Sequence, residues 1–358
     1  MHDDLLDLYS DYLICTFGQA TATGLGEVIE GSVSHDQITR ALSSHERRGV
    51  ALWRVVKRFV RQIQSEDGVL VVDDTISEKP YSDENDIVCW HYDHTTGRTV
   101  KGINLLTTLY HVPNLGLSLP VEFRLVTKTE QYVDKKDGKT KRRSATSKNE
   151  HYRQMLQQAA VNRIPFRYVL NDVWFASAEN MNFVKHTLKK EFVMPLKTNR
   201  KLALNADDKR QGIYVRADDV GIEPNTVRRV YLEGVSFPML LAKQVFTNKD
   251  GSTGVLFLVT SDITLTYDGI TSLYHKRWTI EPFHKSLKQN AALERSPAHT
   301  VRTQTNHIFA SLCAFIKLEM LKRKSKLNHF ALKSRLYLHA VQAAFHALRH
   351  LLPVSLPA

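Results

Sequence analysis

Residues 69–75 read VLVVDDT, and this run limits the fold more than any other stretch of the chain. Its first four residues are apolar and three of them β-branched, so the run has no polar face and reads as a strand buried in a sheet. It ends in two carboxylates, Asp73 and Asp74. A buried carboxylate without a partner is costly, so the end of this strand has to reach a site. Strand neighbours point to opposite faces, which leaves both aspartates as candidates for that site.

The period of the chain changes around this strand. Residues 1–66 read mostly as helix. LLDLYSDYLI and SVSHDQITRALSS carry apolar residues at helical spacing. GVALWRVVKRFVRQIQ sets Leu52, Val55, Val56, Phe59, Val60 and Ile63 against Arg54, Lys57, Arg58 and Arg61. Beyond the first strand, 86–94 and 100–112 read as two more, with a turn at His94-Thr95-Thr96-Gly97. A helix follows at 150–162. FRYVLND (166–172) is a second buried strand ending in a carboxylate, Asp172. A helix over 177–191 with Ser177 as its cap and a strand over 192–199 come next. Residues 200–265 are strand-rich, with a hairpin turn at Lys249-Asp250-Gly251. The remainder is helical over 267–292, 303–324 and 329–351. This order predicts an α/β fold divided at 1–66, 67–199, 200–265, 266–310 and 311–358.

Charge narrows the partner. The formal net charge of +12 is unevenly spread. Residues 275–349 hold 14 Lys/Arg against Glu281, Glu294 and Glu319, and residues 135–148 hold seven against Asp137. Two concentrated basic regions suit a polyanion such as DNA. The stretch 134–149 is polar and basic and reads as a flexible loop in which Lys141, Arg142 and Arg143 meet phosphates. Residues 40–61 carry seven basic residues against Glu46, which fits a DNA-contacting helical domain or a structural cap. Cys15, Cys89 and Cys313 are far apart, so neither a disulfide framework nor a zinc site is expected, and a reducing cytoplasm is the default. The acidic start MHDDLLDLYSDYL is no signal peptide, and no apolar run reaches the roughly 20 residues that span a bilayer.

The segment 274–288, YHKRWTIEPFHKSLK, contains Tyr274, Arg277, Glu281 and Lys288. At about 100° per residue these four share a helical arc of roughly 60°. One face then holds a carboxylate, which can bind a divalent metal, beside two cations that can hold phosphates. Pro282, just after Glu281, predicts a kink or a local interruption of the helix. His91, His94, His275 and His284 have no partner at the i+4 spacing of a zinc helix and read as surface or phosphate-facing groups. Trp174 reads as a packing residue.

The Tyr-Arg-Glu-Lys spacing, Y-x2-R-x3-E-x6-K, resembles the signature of bacterial insertion-sequence transposases that use an Asp-Asp-Glu metal site. VVDDT, LNDVWFAS and the 274–288 segment carry the likeness, which covers about residues 67–310. The resemblance implies an RNase H-like core with a β-strand insertion before the catalytic Glu, flanked by helical regions. It implies Asp74, Asp172 and Glu281 as catalytic metal ligands, with Asp73 as the competitor of Asp74. Asp172 and Glu281 stand 109 positions apart, a gap the insertion fills. Two Mg²⁺ ions, with Mn²⁺ as a substitute, would activate the attacking oxygen and stabilise the leaving one. Tyr274, Arg277 and Lys288 would contact DNA phosphates, and Trp278 would stack on a flipped base or sit in the core. The implied partners are terminal inverted repeats, target DNA and a second copy in a synaptic homodimer. A metal nuclease that does not join strands and a non-catalytic DNA-binding descendant remain the alternatives.

Overall fold

The computed structural model describes residues 2–93, 96–135, 138–248 and 250–351. The turns expected at 94–97 and 249–251 therefore lie partly outside the described residues, as do Lys136 and Asp137 of the basic segment. The chain forms two compact units, one of residues 1–55 with 283–358 and one of residues 56–282.

The N-terminal stretch is helical as expected: α1 (His2–Cys15), α2 (Ala22–Val28), α3 (His35–Leu42) and α4 (Gly49–Ile63). Ser34 closes a capping box on α3 with Gln37, which satisfies donors the helix leaves unpaired.

The second unit is built on one sheet. Its strands are β1 (Val69–Glu78), β2 (Val88–Asp93), β3 (Arg98–Val112) and β4 (Leu117–Leu125), followed by a separate ribbon of β5 (Glu130–Val133) and β6 (Thr140–Arg143). After α5 (Lys148–Val161) come β7 (Tyr168–Asn171), α6 (Ala178–Asn182) and β8 (Glu191–Leu196). The strand-rich part holds β9 (Lys201–Ala203), α7 (Ala206–Gln211), β10 (Val215–Arg216), β11 (Val227–Leu232), β12 (Met239–Thr247) and β13 (Thr253–Thr260). Then comes α8 (Tyr267–His275). Among the described residues the sheet order is β10-β9-β11-β12-β13-β8-β7-β1-β3-β2, with β4 also paired to β3. Among the described residues only β1–β7 and β7–β8 are parallel pairs, so the sheet is mostly antiparallel. As its composition predicts, β1 lies inside the sheet, between β3 and β7, and Val69 to Val72 are fully buried.

Three local readings need correction. Strand β4 has no counterpart in the sequence reading, because Gly116 and Pro120 look like loop residues. Pro120 pairs with Leu109 next to a register shift at Thr108/Leu109, an irregular spot where a missing N–H is tolerated. The segment 134–149 is not simply a loop, since Thr140–Arg143 pairs with Glu130–Val133. The helix expected over 177–191 keeps its Ser177 cap but gives way to a wider π turn at Phe183–Thr187, and Lys189 ends it at a left-handed φ of 56°.

The first unit is completed by α9 (Ile280–Gln289, of which it holds Phe283 onward), α10 (Val301–Ser325) and α11 (His329–Leu351). Helix α10 is buried almost all round from Gln304 to Ile316, the pattern of a central helix. Its Asn306 accepts from Arg47 N–H at 2.9 Å and donates to Leu42 O at 2.8 Å, fastening the α3–α4 turn. No helix among the described residues is long and apolar enough to cross a membrane.

Candidate active site

Parallel pairing of β1 and β7 sets Val72 opposite Asn171, so Asp73 and Asp172 are the next residues on two adjacent strands. The Asp73 side chain is 14 % exposed, and its Oδ1 accepts the N–H of Asp74 at 2.9 Å. Asp172 caps a short 3-10 turn, Val173–Phe175, by accepting the Trp174 N–H at 3.0 Å. The turn is anchored from below. Tyr152 of α5 donates to Asn171 Oδ1 at 2.8 Å and stacks on Phe175 at 5.1 Å.

Asp74 points to the other face of β1, which Asn104 shares because it lies opposite Ile76 on β3. Asp74 Oδ2 accepts from Asn104 Nδ2 at 2.6 Å and from Lys148 Nζ at 2.8 Å. Lys148 is the first residue of α5, behind the capping box of Ser147 and Glu150.

The 274–288 segment does not form one helix. Tyr274 lies in the last turn of α8, Arg277 in a 3-10 turn over Lys276–Thr279, and Glu281 in the first turn of α9. The local interruption expected from Pro282 is this 3-10 turn, which holds Trp278, the residue four before it whose carbonyl the proline cannot bond. Pro282 falls in the first turn of α9, where a missing N–H costs nothing. Arg277 still links the acids: its Nη1 lies 3.6 Å from Asp73 Oδ2 and 3.7 Å from Glu281 Oε1. Its guanidinium also sits over the rings of Trp278, at 4.8 Å, and Tyr274, at 5.7 Å.

Two family models match this chain. One, a DDE superfamily endonuclease, matches residues 1–214, and the other, a transposase DDE domain, matches residues 133–316. The chain belongs to the DDE transposase/endonuclease superfamily. The first match carries Asp73, Asp74 and Asp172, and the second carries Asp172 and Glu281. Comparison with curated proteins finds no match.

The acids of this DDE chain are poorly compensated. Burial, followed by the charges of Asp172 and Asp74, pushes the Asp73 carboxyl up to about 8, and Arg277 offsets only part of this. Asp172 is also raised, first by burial and then by Asp74, against the N–H groups of Phe175 and Trp174 and the charge of Arg277. Among the described residues no three acid, histidine or cysteine side chains are already grouped around a metal position. Lys148 pairs with Asp74, and Arg277 approaches Asp73 and Glu281. The donor set fits a hard divalent cation all the same, since such ions prefer carboxylate oxygens and would relieve the repulsion that raises Asp73 and Asp172.

Lys288 pairs with Glu294 at 2.9 Å within the helical unit. Trp278 is 53 % exposed, so it is no core residue. Lys141, Arg142 and Arg143 of β6 pair with Asp134, Asp86 and Glu130. His91 and His284 are buried rather than on the surface, while His275 is exposed as expected and His94 lies outside the described residues. Burial, aided by the charges of Lys128 and Lys148, pushes His91 down to about 4 and keeps it neutral. Trp174 is 46 % exposed, and Lys148 Nζ lies 5.7 Å from its ring centre, so it is not a packing residue. Asn104 and Lys148 were missed as site residues. A polar Asn in the apolar run INLLTTLY was the available signal for the first, and a lysine directly behind a Ser cap marks nothing by itself.

Proposed function

We propose that this protein is an insertion-sequence DNA transposase that cleaves and joins strands at an Asp-Asp-Glu centre. The observation that carries the reading is the adjacency of Asp73 and Asp74, midway along β1 where its parallel pairing with β7 stops, to Asp172 just beyond β7, linked through Arg277 to Glu281. The order β4-β3-β1-β7-β8, antiparallel then parallel, supports an RNase H-like core, with β9 to β13 as the insertion before Glu281.

Asp74, Asp172 and Glu281 would hold two Mg²⁺ ions, or Mn²⁺ in their place, with Asp73 either the alternative first ligand or the group that orients Asp74. Bound there, the ions would supply activation of the attacking water or 3′-hydroxyl and stabilisation of the leaving oxygen. Arg277 would release the acids and neutralise the phosphate beside them, with Tyr274 next to it. Lys288 and the basic ribbon residues Lys141, Arg142 and Arg143 would hold more distant phosphates, and the exposed Trp278 offers a face for an unstacked base. The DNA would be the terminal inverted repeats and then the target, held by a homodimer in the bacterial cytoplasm.

Glu281→Gln keeps the side-chain size and removes a metal ligand. Gel-shift and nicking assays on one preparation test the reading, with end binding expected within about twofold of wild type and cleavage lowered by about 10³ or more. Cleavage retained by this variant, or binding lost in step with cleavage, would contradict the role of Glu281.

A further inference from the structure

We infer that Lys148 is an internal stand-in for the divalent cation: its ammonium holds Asp74 while the acids carry no metal, yields to the ion, and then turns to a DNA phosphate. This rests on the transposase reading above. Three observations carry it.

The first is where the ammonium sits. Lys148 Nζ lies 2.8 Å from Asp74 Oδ2, the same oxygen that accepts Asn104 Nδ2 at 2.6 Å. Two donors on one oxygen leave little room for a cation there. An ion that takes Asp74 through Oδ2, or through both oxygens, displaces one of them, and Asn104 is the fixed one. It is fully buried on β3, and its Oδ1 finds no hydrogen-bond partner. Lys148 sits on a flexible stem with a compact charge, so it is the donor that moves.

The second is the degree of shielding. The side chains of Lys148 and Asp74 are 26 % and 20 % exposed. Their attraction is screened less than that of a surface pair, yet an ion from solvent can reach it.

The third is a place for the displaced charge. The Trp174 ring lies 5.7 Å from Nζ, and the residue is half-exposed. Cation–π attraction keeps the ammonium on the solvent side of the site, where an incoming phosphate meets it. Metal and DNA binding then strengthen each other, because the ion frees the cation that the phosphate uses. A merely structural Lys148–Asp74 pair would give no such coupling.

The test is calorimetric titration of Mn²⁺ into the full chain without DNA, using wild type, Lys148→Met and Lys148→Arg. Lys148→Met should bind Mn²⁺ about tenfold more tightly than wild type, since a charged hydrogen bond competes by roughly that factor. Lys148→Arg keeps the competing charge and should keep the wild-type affinity. In gel shifts with duplex DNA, Ca²⁺ should strengthen binding by wild type and not by Lys148→Met. If the Met variant folds poorly, Lys148→Gln should give the same two results. Mn²⁺ affinity in the charge-removed variant at or below that of wild type overturns the role of Lys148. A wild-type protein that binds no Mn²⁺ and nicks no DNA contradicts the transposase reading itself, and this inference with it.

Discussion

Two buried acids in this chain are treated in opposite ways. Glu319 of α10, in the helical unit, is 3 % exposed and is met by the Lys322 ammonium at 3.2 Å, with His329 Nε2 at 3.0 Å. His329 is braced in turn by Ser286 at 2.8 Å. Asp73, in the sheet unit, is nearly as buried, but its closest charged neighbours include two further aspartates, and its one cation stands off at 3.6 Å. A buried charge that serves the fold is paired. One left among like charges costs stability, and a polypeptide keeps it where the charge serves another purpose.

That contrast can be broken by experiment, and the largest effect belongs to the paired acid. Glu319→Ala should lower stability by about 3 kcal/mol, because it strips a buried network of its centre. Chemical denaturation measures this, and a loss below about 1 kcal/mol would remove the contrast.

The next effect concerns pH. Asp73 has a folded-state value of about 8, above the ordinary carboxyl range. The folded chain therefore holds this proton more tightly than the unfolded one. Its contribution is complete below about pH 4 and is lost as pH rises through 8. Metal-free protein should lose on the order of 2 kcal/mol of stability between pH 5 and pH 8, and Asp73→Asn should flatten that slope. An unchanged slope in the variant would show that Asp73 is not the group responsible.

The smallest stability effect should come from the ribbon. Lys141, Arg142 and Arg143 make surface ion pairs, so changing all three to Ala should shift stability by less than about 1 kcal/mol. Binding should respond more. Affinity for cognate and unrelated DNA should fall alike, with the salt slope shallower by up to about three units. A loss confined to the terminal repeats would show that the ribbon reads bases.

Much of this was legible in the sequence, for physical reasons that differ by element. Helices α1, α3 and α4 and the buried start of β1 declare themselves through period and composition, while the short α2 does not, and the place of Asp172 follows from its position after a buried strand. The choice between Asp73 and Asp74 was not legible. It depends on which face of β1 meets which neighbour, and that is set by pairing with β7 and β3 rather than by the run VLVVDDT. The break between α8 and α9 was legible through Pro282, which cannot bond the carbonyl of Trp278 inside the 3-10 turn at Lys276–Thr279. Asn104 and Lys148 reach Asp74 only through tertiary contact across 30 and 74 positions.

The central claim is that the acids beside the β1–β7 pair are left under-compensated to take a divalent cation. Thermal unfolding at pH 8, with and without Mn²⁺, tests it most directly, because an ion bound to the folded state alone raises its stability. Wild-type protein should melt several degrees higher with millimolar Mn²⁺, and Asp172→Asn should lose most of that gain. A wild-type melting temperature indifferent to Mn²⁺, or a gain undiminished in Asp172→Asn, would contradict the claim.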